Sequence, residues 1–221
     1  MSAQRRHLVL LGAGHAHLAV LQAFARHPVA GVDLTLVTPD RSTVYSGMIP
    51  GWLAGDYSLD QCRIPVDTLA AKSGARLLLQ RAVSWDANER SLVISDGTLL
   101  TYDMISLDIG SESTWAALPA GPCAWFPVRP IARFAEQWAA YDASPAARSA
   151  AVVVVGGGAA GIELALSIRA RRQLRGDSGG VTLVTRPTSV LQGHGRDAAG
   201  VARRALREAG VSFCRAGSPI P

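Results

Sequence analysis

Glycines at fixed spacing carry the clearest chemical signal in this chain. Residues 151–163 read AVVVVGGGAAGIE. Four valines end in three glycines, two small residues follow, and a fourth glycine precedes a glutamate. Gly156, Gly158 and Gly161 fill the frame G-x-G-x-x-G. In that frame the first glycine makes a tight turn and the second lets a diphosphate approach the backbone. The third allows close helix–strand packing, and the phosphates lie on the helix N-terminus. Residues 7–17, HLVLLGAGHAH, repeat the theme with a short apolar run closing on Gly12 and Gly14. Two strand–glycine–helix units predict two dinucleotide sites.

These turns need strands and helices to hold them. The pattern predicts a strand at 8–11, a helix from His15 to His27 stopped by Pro28, and a strand at 32–37. That closes one βαβ unit within about thirty residues. An acid that binds a ribose hydroxyl is expected at the end of the second strand. Thr38 stands there and Asp40 follows, either as the ribose ligand or as a turn residue. Residues 41–58, RSTVYSGMIPGWLAGDYS, read as a long apolar loop of the kind that binds ligands. Asp67 is placed to cap a short helix ending near Gly74. A third parallel strand is expected at 75–79, then short antiparallel strands at 82–85, 91–94 and 98–102, then a strand at 104–108. Residues 113–129, rich in proline and tryptophan, read as a crossover. Helices are expected at 130–141, 159–175 and 197–209, with strands at 181–185 and 211–214 flanking the last of them.

Composition narrows the class. The chain has 221 residues, 48% of them hydrophobic, enough for two modest domains or one large one. No stretch approaches the ~20 apolar residues of a membrane helix, and the apolar run after the first basic residues is too short for a signal peptide. Three cysteines, Cys62, Cys123 and Cys214, are widely spaced, which argues against a disulfide framework or a zinc site and fits a reducing cytoplasm. The net charge of +5 is concentrated in the second half, but its arginines are scattered with few aromatics among them. Solvated helix faces account for them better than nucleic-acid binding does.

The features in chain order are G-A-G-H-A-H, the Y-S-G-M-I-P-G segment, the three-strand meander, Y-D-M-I-S-L-D-I-G-S and G-G-G-A-A-G-I-E. They resemble the two-dinucleotide-binding flavoproteins of the pyridine nucleotide–disulfide oxidoreductase superfamily. The chain looks most like the NADH dehydrogenase-like branch, and within it like oxidoreductases associated with selenide, water dikinase. The resemblance implies an α/β protein with two Rossmann-like domains, the second incomplete: residues 1–115 for FAD and residues 116–221 for NADH or NADPH. It implies that Gly12, Gly14, His15 and Ala16 hold the FAD diphosphate, with Asp40 either at the ribose or a turn residue. Ser46, Met48 and Pro50 would approach the flavin, and Ala82 and Val83 would meet the adenine. Asp108 and Gly110, standing where the family has A-T-G-S, would close over the cofactor. Gly156, Gly158, Ala160 and Gly161 would hold the nicotinamide dinucleotide, and Glu163 would orient the flavin–nicotinamide contact as the catalytic carboxylate.

Several departures bear on those expectations. His17 replaces the third glycine of the first frame, as a phosphate or flavin contact or as helix-start packing; a metal pair with His15 is disfavoured, because residues two apart face different ways. There is no C-x-x-x-x-C, so a redox disulfide of the glutathione reductase kind is excluded; Cys123 is expected to be a buried thiol rather than one of the separated redox cysteines of sulfide–quinone reductases. The strand end Thr185-Arg186 lacks an acid, and Arg186 suits the 2′-phosphate of NADPH. The family's segment that completes the FAD domain and its C-terminal interface domain are expected to be missing, which would favour a homo-oligomer. A peripheral membrane or quinone contact is expected only through that missing part. The function that follows is hydride transfer from NAD(P)H to FAD and onward to a small-molecule electron acceptor; the alternative is a non-catalytic remnant that binds a nucleotide or self-associates.

Overall fold

The computed structural model describes residues 5–113, 123–186 and 190–215. Part of the crossover, residues 114–122, lies outside the described residues. Element order is β1 (Arg6–Leu11), α1 (His15–Arg26), β2 (Val32–Val37), β3 (Ser42–Val44), α2 (Ile49–Ala54), β4 (Arg63–Pro65), α3 (Val66–Ser73) and β5 (Arg76–Leu78). It continues with β6 (Ala82–Asp86), β7 (Ser91–Ile94), β8 (Leu99–Thr101), β9 (Met104–Leu107) and α4 (Ile131–Asp142). The chain then forms β10 (Val152–Val155), α5 (Ala159–Arg175), β11 (Val181–Thr185), α6 (Arg196–Glu208) and β12 (Ser212–Arg215). These elements fall into two compact units.

Unit 1 comprises Met1–Tyr45 and Arg63–Ala132. Its main sheet runs β5-β2-β1-β9, all parallel, with Leu8 opposite Leu34 on one side and Met104 on the other. Side chains alternate across a strand, and both faces of this sheet are covered, so β1 reads as an unbroken apolar run. Leu10, Leu34 and Leu36 pack with Leu18 and Leu21 of α1 and with Val66 and Ala70 of α3. Val9, Leu11 and Val37 face the other way and pack with Leu92, Ile94, Leu100 and Tyr102 of the antiparallel meander β6-β7-β8. Val9, Leu21 and Leu36 are fully buried. Truncating one such leucine to alanine costs about 2–5 kcal/mol.

Unit 2 comprises Ser46–Cys62 and Arg133–Pro221. Its sheet is β10-β11-β12, parallel, with Leu183 fully buried in its central strand. Ile162, Leu164, Ala165 and Ile168 form the buried stripe of α5, and Gly176 ends that helix in the left-handed conformation at φ 69°. Two arginines tie the helix down. Arg172, only 4% exposed, donates to the carbonyls of Ala150 and Ala147 at 2.8 and 2.9 Å. Arg175 makes a two-pronged pair with Asp142 at 2.6 and 2.7 Å, which raises the arginine's pKa.

Three local expectations are corrected. The stretch 41–58 is not a loop. It holds β3, a 3-10 turn at Ser46–Met48 and the helix α2, which buries Ile49 and Leu53 and packs against α5. Ile49 and Leu53 are the helix's core face, while Tyr45 and Tyr57 outside it are exposed. Asp67 is not the residue that caps α3, because Pro65 holds that position; its carboxylate instead accepts the N–H of Thr68 at 2.7 Å. Cys123 is exposed, whereas Cys62 and Cys214 are the buried thiols.

Candidate functional site: two glycine turns of unlike occupancy

Each unit presents one glycine turn at the C-terminal end of a parallel strand, where open α/β sheets bind ligands. In unit 1 the turn follows β1. Gly12 has φ +90°, and a Cβ there would run into the backbone of Asp108 and Ile109. Only glycine fits such a place. The Gly12 N–H donates to Val37 O at 2.8 Å and the Gly14 N–H to Asp108 O at 3.2 Å.

The helix start above this turn already carries a negative group. One Asp108 carboxylate oxygen accepts the N–H of Ala16 at 2.9 Å and, more weakly, that of His17 at 3.4 Å. A Cβ built on Gly14 would overlap that carboxylate. Asp108 thus lies over the glycine a diphosphate is expected to approach. It satisfies helix N–H groups that have no partner within the helix.

His17 points into unit 1 and is 1% exposed. Its Nδ1 lies 2.7 Å from Gly12 O and its Nε2 2.9 Å from Ser106 Oγ. A carbonyl only accepts, so Nδ1 carries the proton and Nε2 accepts the Ser106 hydroxyl. Helix-start packing is therefore what His17 does. It joins the turn to β9 in place of the close backbone contact a third glycine would give. His15 is exposed and sits edge-on to Tyr45, with ring centroids 4.9 Å apart. Among the described residues no three His, Cys, Asp or Glu side chains are grouped as a metal site.

The other unit 1 candidates are spread out. Asp40 is exposed beyond the buried Thr38, whose N–H donates to Leu78 O at 3.0 Å. Ala82 and Val83 lie exposed at an irregularity in β6, and Gly110 is exposed at φ +76°. A cavity of about 610 Å³ in unit 1 lies at the opposite, N-terminal end of the strands, among Arg5, His7, Phe24, Asp33 and Arg76. There Asp33 is held below the usual carboxylate range by the Arg5 guanidinium, 2.6 Å away. The Asp103 carboxyl is also lowered, first by the backbone N–H of His7 and then by Arg6.

In unit 2 the turn follows β10 and is open. Gly156 has φ +128°, and neither it nor Gly158 would meet a described atom within 4 Å if a Cβ were added. Gly158 precedes the first residue of the 17-residue helix α5 and offers no side-chain cap. Gly161 is different. A Cβ there would come to 3.0 Å from the Gly156 carbonyl carbon and collide with its oxygen. That is the close helix–strand contact the third glycine of the frame exists to permit. Ala160 is exposed at the helix start, and Glu163 is exposed one residue beyond the buried Ile162. At the end of β11, Thr185 is buried and donates its hydroxyl to Arg186 O at 3.0 Å, leaving Arg186 exposed.

Ser46, Met48 and Pro50 belong to unit 2, at the start of α2. In the same segment Cys62 is fully buried and its Sγ contacts Ser58 O at 3.4 Å; burial pushes its thiol pKa up. Such a thiol is not an activated nucleophile. Sequence reading missed the inward turn of Asp108 and its neighbour Ser106. The signal for Asp108 was present, since it replaces a small residue of the A-T-G-S pattern; Ser106 carried none.

A sequence model described as pyridine nucleotide-disulphide oxidoreductase matches residues 6–216. A search of curated proteins finds no match. Among solved structures, the sulfide:quinone oxidoreductase of Aquifex aeolicus superposes with TM-score 0.74 at 16% identity, over 95% of this chain and 51% of that one. NDH2 of Plasmodium falciparum, in complex with NADH, gives 0.73 at 13% identity, over 96% and 48%. The water-forming NADH oxidase of Lactobacillus brevis, bound to NADH, gives 0.69 at 18% identity, over 95% and 46%. This chain spans about half the length of these proteins, and at such identities the likeness concerns the fold. Among the described residues no helix is long and apolar enough to cross a membrane.

Proposed function

The chain belongs to the pyridine nucleotide-disulphide oxidoreductase family, and from that premise we propose that it carries the two nucleotide-binding units of an FAD-dependent NAD(P)H oxidoreductase. Unit 2 takes the nicotinamide dinucleotide and unit 1 the flavin. The observation that carries the reading is the open turn at Gly156 and Gly158, beneath an uncapped 17-residue helix. The surroundings fit a diphosphate: two glycines where an added Cβ meets no described atom within 4 Å, a positive helix end, and no acidic residue in the first turn of α5.

When bound, the nicotinamide supplies hydride and the flavin accepts it and passes electrons on. The protein's own part is positional. Gly156 and Gly158 let the diphosphate reach the backbone, and the first N–H groups of α5 hold it. Gly161 keeps that helix end close to β10. Glu163 orients the nicotinamide at the flavin without acting as a nucleophile. Arg186 meets a 2′-phosphate, which makes NADPH the preferred donor, since among the described residues no carboxylate stands at the end of β11 to accept ribose hydroxyls. Ser46, Met48 and Pro50 approach the flavin, and Ala82 and Val83 meet its adenine. The acceptor is a small molecule, and the chain works as a homo-oligomer in the cytoplasm.

The test is a visible spectrum of the purified chain followed by anaerobic addition of NADPH and NADH. The reading expects a flavin band that bleaches with either nucleotide. A colourless protein that takes up no added FAD sinks it. A second reading, a remnant that binds nicotinamide nucleotide but no flavin, is favoured by one observation, the carboxylate of Asp108 over Gly14. It expects nucleotide binding without a flavin band.

A further inference from the structure

Resting on the flavin reading of unit 1, we propose that Asp108 is an internal stand-in for the cofactor diphosphate, and that its carboxylate sets how tightly FAD is held. Three observations converge. The Asp108 carboxylate accepts the N–H of Ala16 at 2.9 Å and lies within 3.4 Å of the N–H of His17. It covers Gly14, the position whose missing side chain opens the backbone to a ligand. The backbone beneath is fixed: Asp108 N–H donates to Leu11 O at 2.9 Å, and Asp108 O accepts Gly14 N–H. The side chain is the only part of that residue free to leave.

The same helix end cannot serve two anions at once. A diphosphate on the α1 N-terminus needs the Ala16 N–H, so FAD enters by displacing the carboxylate, which then rotates toward solvent beside a like charge. Without a ligand the carboxylate caps the helix and keeps the turn folded. Among the described residues unit 2 has no equivalent: no described atom lies within 4 Å of a Cβ added at Gly158. The two sites therefore differ in kind. One is open at rest, and the other opens only by exchange.

The experiment compares the full chain with Asp108→Ala and Asp108→Asn. FAD affinity is read by quenching of flavin fluorescence, and stability of the FAD-free protein by its melting temperature. Removing an anion from a helix N-terminus is expected to tighten FAD binding by about three- to thirtyfold in Asp108→Ala. The increase should be smaller in Asp108→Asn, which keeps an acceptor for Ala16 but loses the charge. The gain should shrink in high salt, and the FAD-free alanine variant should melt at a lower temperature. A residue with a merely structural role would lower stability and FAD affinity together. Unchanged or weaker FAD binding in both folded variants overturns the proposal and leaves the flavin reading standing. If neither parent nor variants bind FAD, the flavin reading fails, and inorganic pyrophosphate becomes the probe. Binding gained in the variants then upholds the displacement, and equal binding overturns it.

Discussion

Replacing Gly158 and Gly161 separately by alanine distinguishes a turn kept clear for a ligand from a turn kept clear for packing. At Gly158 the backbone is ordinary, φ −77° and ψ 177°, and an added Cβ meets no described atom within 4 Å. Alanine loses less entropy on folding but is a poorer helix cap than glycine, so the two effects offset and stability should change by less than about 0.5 kcal/mol. On the proposed placement the new methyl group nevertheless stands where the diphosphate comes down. Lengthening even one charge-assisted hydrogen bond beyond useful range costs about 1.5–3 kcal/mol, or roughly 10- to 150-fold in affinity at about 1.4 kcal/mol per tenfold. At Gly161 the Cβ would fall 3.0 Å from the Gly156 carbonyl carbon, with the oxygen closer still. These are backbone atoms, so α5 must shift off β10, at about 1–3 kcal/mol. For a chain of this size that lowers the melting temperature by several degrees. NADPH and NADH affinities by titration calorimetry and melting curves of both variants are the assay. Parent-like affinity in a folded Gly158→Ala protein would refute the placement of the diphosphate, and parent-like melting of Gly161→Ala would refute the packing claim.

Other expectations follow from the same geometry. Arg186→Glu should weaken NADPH binding by about tenfold or more while leaving NADH nearly unchanged; equal losses for both nucleotides would remove Arg186 from the 2′-phosphate. Alkylation of the native chain at neutral pH, read by mass spectrometry, should modify Cys123 and spare Cys62 and Cys214, because burial keeps Cys62 protonated and shields both of the latter. Early labelling of Cys62 would contradict its environment. The folded pKa of Asp103 is lowered, so its charged form stabilises the fold above the ordinary carboxylate range, and that contribution is lost as the pH falls through the folded value. Melting temperatures of the parent and Asp103→Asn should therefore differ at pH 6 and converge as the pH drops toward 2. A gap that stays constant with pH would mean that the N–H of His7 gains nothing from the charge.

Much of the architecture was legible because its strands and helices announce themselves through opposite periodicities. The valine run 152–155 and the apolar run 8–11 are both parallel strands, the second covered on both faces and the first leaving Val153 and Val155 exposed, and Gly156 and Gly12, both at positive φ, end them where the pattern stopped. The helix 159–175 was readable to the residue, since Gly158 and Gly176 bracket it with the conformations that begin and end helices. Residues 46–54 were misread for a physical reason. Pro50 and Gly51 signal a turn, but proline is tolerated in the first turn of a helix. Six residues are also too few to show a helical period. Only tertiary contact with α5 reveals which side of that segment is buried.

The two glycine frames look alike in sequence and differ in what stands over them, and that difference comes from residues about ninety positions away. Asp108 and Ser106 sit on β9 or just beyond it, which pairs with β1 in register, Leu10 beside Ser106 and Leu11 beside Leu107. That pairing carries Asp108 level with the α1 start and puts the Ser106 hydroxyl on the ring of His17. A histidine in the third frame position needs a buried partner for each ring nitrogen, and Gly12 O and Ser106 Oγ supply them. The substitution of His17 for glycine and the serine on β9 are thus one feature, divided between distant parts of the chain. The same holds for the histidine-flanked turn and Asp108: once the third position no longer allows the closest backbone contact, a carboxylate from the neighbouring strand completes the helix end. In unit 2, where Gly161 does allow that contact, no described side chain stands over Gly158.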